Sequence, residues 1–320
     1  MELEQLLPAI SGMTWQHLIM IGVGVTLIYL AIAKKYEPTL LLPMGFGAIL
    51  VNIPLSSAIT QIDPATGEAL EGVLNIFFDA GIATEIFPLL IFIAIGAMID
   101  FSSLFRNPSL LLFGAAAQFG IFMTMVLAAL LGYDIREAAS IGIIGAADGP
   151  TSIVVASRFA PHMLGPISVA AYSYMALVPI IQPPVIKLLT SRKERLIRMK
   201  TDANRQISKK ALIAFPIVIT ITAGLIAPSS LALVGFLMFG NLIRECGVLN
   251  KLSLSAQNEL SSLVTILLGI TIASTMTADR FIRVDTLIII GLGLFAFVFD
   301  TFGGVIFAKF LNIFRKEDNK

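Results

Sequence analysis

Apolar runs of helix-spanning length recur along almost the whole chain, near residues 15–33, 38–55, 86–99, 109–132, 165–189, 211–227, 229–245, 261–277 and 285–312. A helix needs about 20 apolar residues to cross roughly 30 Å of hydrocarbon, and a chain dissolved in water has no use for so many. The composition agrees. Of 320 residues, 57% are hydrophobic and 13% charged, above the roughly 45–50% apolar share of globular chains. The expected fold is an all-α polytopic membrane protein, with the lipid bilayer as its solvent.

A net charge of +1 offers a nucleic-acid partner nothing, and in a membrane protein the placement of Lys and Arg carries more information than their sum. Arg192, Lys193, Arg195, Arg198, Lys200, Arg205, Lys209 and Lys210 mark an inside loop, as do Lys34, Lys35 and Arg106. The segment from Ser56 to Glu85 holds Asp63, Glu68, Glu71, Asp79 and Glu85 and lacks any Lys or Arg, so it is expected outside. The N-terminus then starts outside. Its opening Met1-Glu2-Leu3-Glu4-Gln5 has neither the positive n-region nor the cleavage site of a secretory signal, so the first span is expected to be retained. The lone Cys246 excludes an intramolecular disulfide and a thiolate metal cluster. His17 and His162 lie far apart and are expected to be structural or interfacial.

Charge parity constrains the middle of the chain. Four crossings bring it outside again at Tyr133 to Glu137, yet residue 192 is inside, so 138–189 makes an odd number of crossings. The apolar stretch 138–160 is interrupted by Gly145-Ala146-Ala147-Asp148-Gly149-Pro150. Gly149 and Pro150 both disrupt a helix, and a proline pushes its predecessor away from the α region. A re-entrant element at 138–160 followed by one crossing at 165–189 satisfies both constraints. Irregular backbone at membrane depth survives only inside protein or beside a watery cavity, which makes the break a candidate site.

The sequence also resembles itself. Gly45 to Asn52 is similar to Gly235 to Asn241, Ile93 to Met98 to Thr271 to Met276, and Gly114 falls opposite Gly291, with a separation drifting from 190 to about 177 residues. The topology inverts one half relative to the other. The expected organisation is a first repeat with its opening spans at 1–137, a re-entrant ion-site element and following span at 138–190, a basic loop at 191–210 and a second repeat at 211–320. Inverted repeats with broken helices meeting near the midplane are the plan of many secondary transporters, with the ion site at the repeat interface.

A carboxylate at membrane depth is normally protonated, paired or bound to a cation, which suits Asp148 to exchanging Na+ for H+. Asp148 is also placed to cap the second half-helix, with proline at an early helical position. Thr151 and Ser152 offer the oxygen donors that Na+ favours. Gly149, Pro150, Tyr172 and Gln182 are expected to shape the site. The Tyr172-Ser173-Tyr174 phenols need partners if buried in lipid. Gln182-Pro183-Pro184 is expected to end or kink its span, and Asp300 and Gln118 are further buried polar candidates. No Walker loop, dinucleotide turn, nucleophile elbow or His-based zinc motif occurs.

Gly142 to Thr151, followed by Ala170 to Pro184, resembles the beta subunit of biotin-dependent, sodium-translocating decarboxylases. The likeness runs from about residue 20 to 312 and includes Tyr36-Glu37-Pro38, Glu85-Ile86-Phe87-Pro88, Gly114 to Gly120 and Ala256 to Leu260. The resemblance implies a translocase-class enzyme subunit that decarboxylates carboxybiotin, with proton uptake, and couples this to Na+ export. It puts the sodium and proton site on Asp148 and a part in the proton step on Tyr174. It further implies as partners a carboxyltransferase alpha subunit, a small gamma or delta membrane subunit and a biotin carrier protein. The cell (inner) membrane is the implied location, and oligomers are allowed. Choice of the acid would rest with the partner that carboxylates biotin. Such beta subunits continue for about a hundred residues through a second broken helix, whereas this sequence stops at Lys320. A fragment, a second chain supplying the remainder, or a non-transporting scaffold would each account for that. A stand-alone cation/proton antiporter or symporter is the alternative function.

Overall fold

The structure, a computed structural model, describes residues 8–62, 66–197 and 207–314. The opening Met1 to Gln5, Asp63 and the loop cations Arg198, Lys200 and Arg205 lie outside the described residues. The principal helices are α1 (Trp15–Ala33), α2 (Pro38–Val51), α3 (Ile86–Met98), α4 (Leu110–Leu130), α5 (Ile135–Gly142), α6 (Gly149–Phe159), α7 (Leu164–Leu189), α8 (Lys209–Ile226), α9 (Leu231–Cys246), α10 (Ser261–Ile272) and α11 (Val284–Phe314). The described strands are a two-residue ribbon, Gln61–Ile62 against Ala69–Leu70. Among the described residues six helices are long and apolar enough to cross a membrane, or up to eight if each of two bent pairs counts as one span. Large apolar side chains such as Leu130 and Leu225 stand about four-fifths exposed, as a hydrocarbon solvent allows.

The helices pack reciprocally. α2 lies on α10 and α3 on α9, while α1 pairs with α2, α8 with α9, and α4 crosses α11. Asn52, buried at the end of α2, donates through Nδ2 to Met276 O beyond α10 at 2.8 Å. Asn241, buried near the end of α9, donates to Ile99 O beyond α3 at 3.0 Å. The two asparagines stand 189 residues apart and the two carbonyls 177, the same drift that the repeat shows. π-helical turns precede both α3 (Phe78–Ala83) and α10 (Ala256–Leu260). These contacts and the like segments of the sequence share one separation along the chain, the one on which the expectation of inverted repeats rests.

The break is present and re-entrant. Asp134 caps α5 in a capping box with Glu137. A 3₁₀ turn (Ile143–Ala146) follows, and Ala147 takes a left-handed conformation at φ 55° before α6 begins. α6 packs back on α5, and Glu137 Oε1 meets His162 Nε2 at 3.0 Å. The start of α5 and the start of α7 therefore lie at the same end of the molecule. His162 is an interfacial partner and His17 completes the α1 capping box with Thr14, the structural roles expected of both.

Two spans differ from expectation. The run 38–55 is helical only to Val51, because Asn52 turns to the Met276 carbonyl and Leu55 has φ 61°. α7 continues through Gln182-Pro183-Pro184, and its 67° bend falls between Met175 and Ile180. Pro179 stands within this stretch, and a proline leaves the carbonyl four residues earlier, here Met175, without a donor, so the distortion falls there and not at Gln182.

Gly96 and Gly240 set the α3–α9 spacing: a Cβ would lie 1.9 Å from Leu237 O at the first and 2.0 Å from Ile93 O at the second. Small residues at such crossings let backbones approach closely. Gly96→Ala and Gly240→Ala should each cost about 1–3 kcal/mol, read as lower melting temperatures in detergent, whereas Gly114→Ala, facing open space, should change little.

Outside the spans, Glu194 accepts from Ser191 N at 2.6 Å and meets Lys309 at 3.1 Å, tying the segment after α7 to α11. The Ser191 backbone first, then its hydroxyl and Lys309, hold the Glu194 carboxyl at about 2 instead of 4.5. A carboxyl depressed in the folded state contributes stability fully above its unfolded value and loses it as pH falls through the folded one. The melting difference between the native chain and Glu194→Gln should therefore be constant above about pH 4.5 and shrink toward pH 2, and salt should reduce it.

Candidate functional site

Asp148 occupies the cap position of α6 with extended backbone, and Pro150 sits in the first helical turn. Its carboxylate makes no cap hydrogen bond to the α6 backbone. Instead Thr151 Oγ1 donates to Asp148 Oδ2 at 2.5 Å, and Ser152 Oγ donates to the Asp148 carbonyl at 2.9 Å. The hydroxyl at 151 thus touches the carboxylate, while the hydroxyl at 152, fully buried, secures the backbone behind it. The Thr151 hydroxyl thus takes up Asp148 Oδ2 where a side-chain cap was expected.

Gly149 permits the next layer. A Cβ there would lie 2.2 Å from the Tyr172 ring, so only a bare α-carbon lets α7 bring that ring against the start of α6. Tyr172 is 3% exposed and its hydroxyl has no hydrogen-bond partner among the described residues. An unpaired hydroxyl in an apolar surround costs roughly 1–3 kcal/mol, and a fold keeps one where a ligand or water can meet it.

Asp148, Pro150 and Tyr172 line a cavity of about 430 Å³. The opposite wall comes from the second repeat, through Leu237 of α9 and Ser261, Thr265 and Leu268 of α10, with Ile91, Phe92 and Ile95 of α3 between them. Glu37, at the left-handed start of α2, lines it as well. The carboxylate at the break therefore faces an interface between the halves. No cluster of three or more metal-binding His, Cys, Asp or Glu side chains occurs among the described residues, so carboxylate, hydroxyls and carbonyls are the oxygen donors available.

The remaining candidates fall elsewhere. Tyr174, one turn face away from Tyr172, is buried against Phe297, and its hydroxyl donates to Ile290 O of α11 at 2.5 Å. It does not line the Asp148 cavity. Gln182 lies beyond the bend of α7 and is not among the cavity residues. Gln118 donates within its own helix to Gly114 O. Asp300 on α11 packs against Gly120 of α4 and Gly145 of the 3₁₀ turn, where a Cβ at Gly145 would lie 2.8 Å from its Oδ2. Its Oδ1 is buried without a partner among the described residues.

Sequence reasoning passed over Glu37, Ser261 and Thr265 as site residues. Glu37 carried a signal, an acid before a proline in a loop otherwise marked by Lys34 and Lys35. The hydroxyls of α10 carried none, since serine and threonine are unremarkable in apolar helices.

At the Ile99 end, Ser102 N donates to Asp100 Oδ1 at 2.8 Å. This bond first, with the Ser102 hydroxyl and the nearby Arg244 and Arg106, holds the Asp100 carboxyl below its usual range. Arg244 also donates to Met98 O at 2.7 Å, so the end of α3 is closed by α9. Tyr174→Phe should destabilise the α7–α11 contact by about 1 kcal/mol, measured by denaturant titration in micelles.

A sequence profile described as Na+-transporting oxaloacetate decarboxylase beta subunit matches residues 16–320. The chain is 48% identical to the methylmalonyl-CoA decarboxylase subunit beta of Propionigenium modestum, over 96% of this chain and 81% of that protein. It is 50% identical to the glutaconyl-CoA decarboxylase subunit beta of Acidaminococcus fermentans, over 93% and 76%. It is 42% identical to the oxaloacetate decarboxylase beta chain of Klebsiella pneumoniae, over 98% and 85%. These matches extend across the break, both repeats and the helices that enclose the cavity, and the chain belongs to the family of Na+-transporting oxaloacetate decarboxylase beta subunits.

Proposed function

We propose that Asp148 carries Na+ and H+ in alternation within a sodium-pumping decarboxylase. The chain is the membrane subunit of such an enzyme, a multi-pass membrane protein that acts with other subunits. The relatives described above are all decarboxylase subunits, which leaves the stand-alone antiporter without support.

The observation that carries the proposal is the carboxylate at a re-entrant break, facing a cavity between the two halves and held by one short hydroxyl contact. With Na+ as cargo, Asp148 and the Thr151 hydroxyl supply oxygen donors, and Ser152 keeps the loop in shape from behind. When Na+ leaves, a proton takes its place on Asp148, since an unpaired carboxylate is costly at this depth. Decarboxylation of carboxybiotin takes up one proton as it yields biotin and CO2, and a proton-bearing Asp148 is a source for it. The orphaned Tyr172 hydroxyl belongs to the same cavity as this carboxylate and is suited to passing that proton, while Tyr174 braces α7 against α11. The resemblance would give the proton step to Tyr174, and both tyrosines stand as candidates for it.

Carboxybiotin would arrive on a biotin carrier protein loaded by a carboxyltransferase alpha subunit, with a small gamma or delta membrane subunit in the complex. The basic loop 191–210 would face the cytoplasm and so would the Lys34–Lys35 end of the cavity, in the inner membrane. Within the intact complex, Asp148→Asn should abolish both Na+ transport into vesicles and Na+-stimulated decarboxylation. Retained coupled activity in that variant would overturn the assignment.

A further inference from the structure

Glu37 is the one cavity-lining carboxylate besides Asp148 among the described residues. It sits between the Lys34–Lys35 turn and Pro38, half-buried, with φ 35° and ψ 60°. A non-glycine residue held in this region is uncommon, and such a conformation persists only where the surroundings impose it. The carbonyl of Glu37 explains its place as a cap, accepting from Leu40 N at 3.1 Å and Leu41 N at 3.0 Å. Its side chain does no such work: it makes no cap hydrogen bond, and no hydrogen bond or ion pair joins it to another described residue, the neighbouring lysines included.

An independent observation lies deeper in the same cavity. The Tyr172 hydroxyl, on a side chain only 3% exposed, is without a partner among the described residues, and the residue lines the cavity together with both carboxylates. Ser261 and Thr265 of α10 line the wall they share. α5 and the 3₁₀ turn carry the chain about 20 Å inward from the Glu137 end, so Asp148 lies well toward the end where Glu37 sits.

The geometry points to Glu37 as an entry site for a monovalent cation, Na+ or Li+, at the mouth of the cavity, which passes it to Asp148 past Tyr172. An unpaired carboxylate at a narrow apolar mouth concentrates cations there, and a hard ion such as Na+ takes the carboxylate and hydroxyl oxygens that Glu37, Tyr172, Ser261 and Thr265 offer. No bond is made or broken in this step. The inference rests on Asp148 being the cation site.

The test uses the intact decarboxylase complex and follows decarboxylation rate against Na+ concentration, at constant ionic strength kept with choline chloride. Glu37→Gln should raise the Na+ concentration for half-maximal rate about tenfold, the loss expected for one charge-assisted contact, while lowering the maximal rate by less than the half-saturating concentration rises. Glu37→Asn, an uncharged residue that tolerates the left-handed backbone, should do the same with an unchanged melting temperature, and Li+ should show the same shift. If Glu37→Gln fails to fold, the Asn variant is read alone. A half-saturating Na+ concentration within twofold of the native value overturns the inference. So does a maximal rate that falls while half-saturation stays fixed, since that marks a structural cap. Asp148→Asn in the same assay separates the two ideas: full coupled activity there removes the cation site itself, whereas its loss beside an unshifted Glu37→Gln curve removes only the entry role.

Discussion

No water waits in a bilayer to complete a broken backbone hydrogen bond, and every interruption in this chain has to be closed by protein. The carbonyls beyond α3 and α10 are closed by Asn241 and Asn52, each reaching across from the opposite half. Those two amides tie the repeats to one another at corresponding places. Asn241 gives its amide to Gly96 O and Ile99 O at the end of α3, whereas Asn52 divides its amide between Ala48 O of its own helix and Met276 O across the contact.

The same constraint shapes the site. At the re-entrant break the chain leaves the helical path at Ala147 and resumes at Gly149, and Asp148 is left between. Its carboxylate does not serve the α6 backbone, since Thr151 approaches as a donor and the serine behind it holds the carbonyl. A capping aspartate would be occupied in holding the helix end. This one lines a cavity shared with α3, α9 and α10.

Close approach is what turns these elements into a site. Gly149 admits the Tyr172 ring, Gly96 and Gly240 admit each other's helices, and Gly145 and Gly120 admit Asp300. A methyl group at any of them would separate the layers that bring the carboxylate, the phenol and the α10 hydroxyls to one space. Helical phase on α7 acts in the same direction, turning Tyr172 to the start of α6 and Tyr174 to α11.

Spans and the break were legible in the residues because each is written locally, in apolar length and in Gly-Pro at the interruption. Asp148 was legible for the same reason, as a charge where lipid would otherwise be. Which tyrosine faces the cavity was not legible, since 172 and 174 differ only in helical phase and the phase is set by how α7 packs between α6 and α11. Nor was the pairing of the carboxylate with the Thr151 hydroxyl, which depends on the Thr151 rotamer, or the inclusion of Glu37 and the α10 hydroxyls, which lie more than a hundred residues from Asp148 in the chain. The sequence determined where a polar group must sit in an apolar medium; only the tertiary packing decided which distant groups surround it, because their meeting depends on how closely helices cross and not on any local pattern of residues.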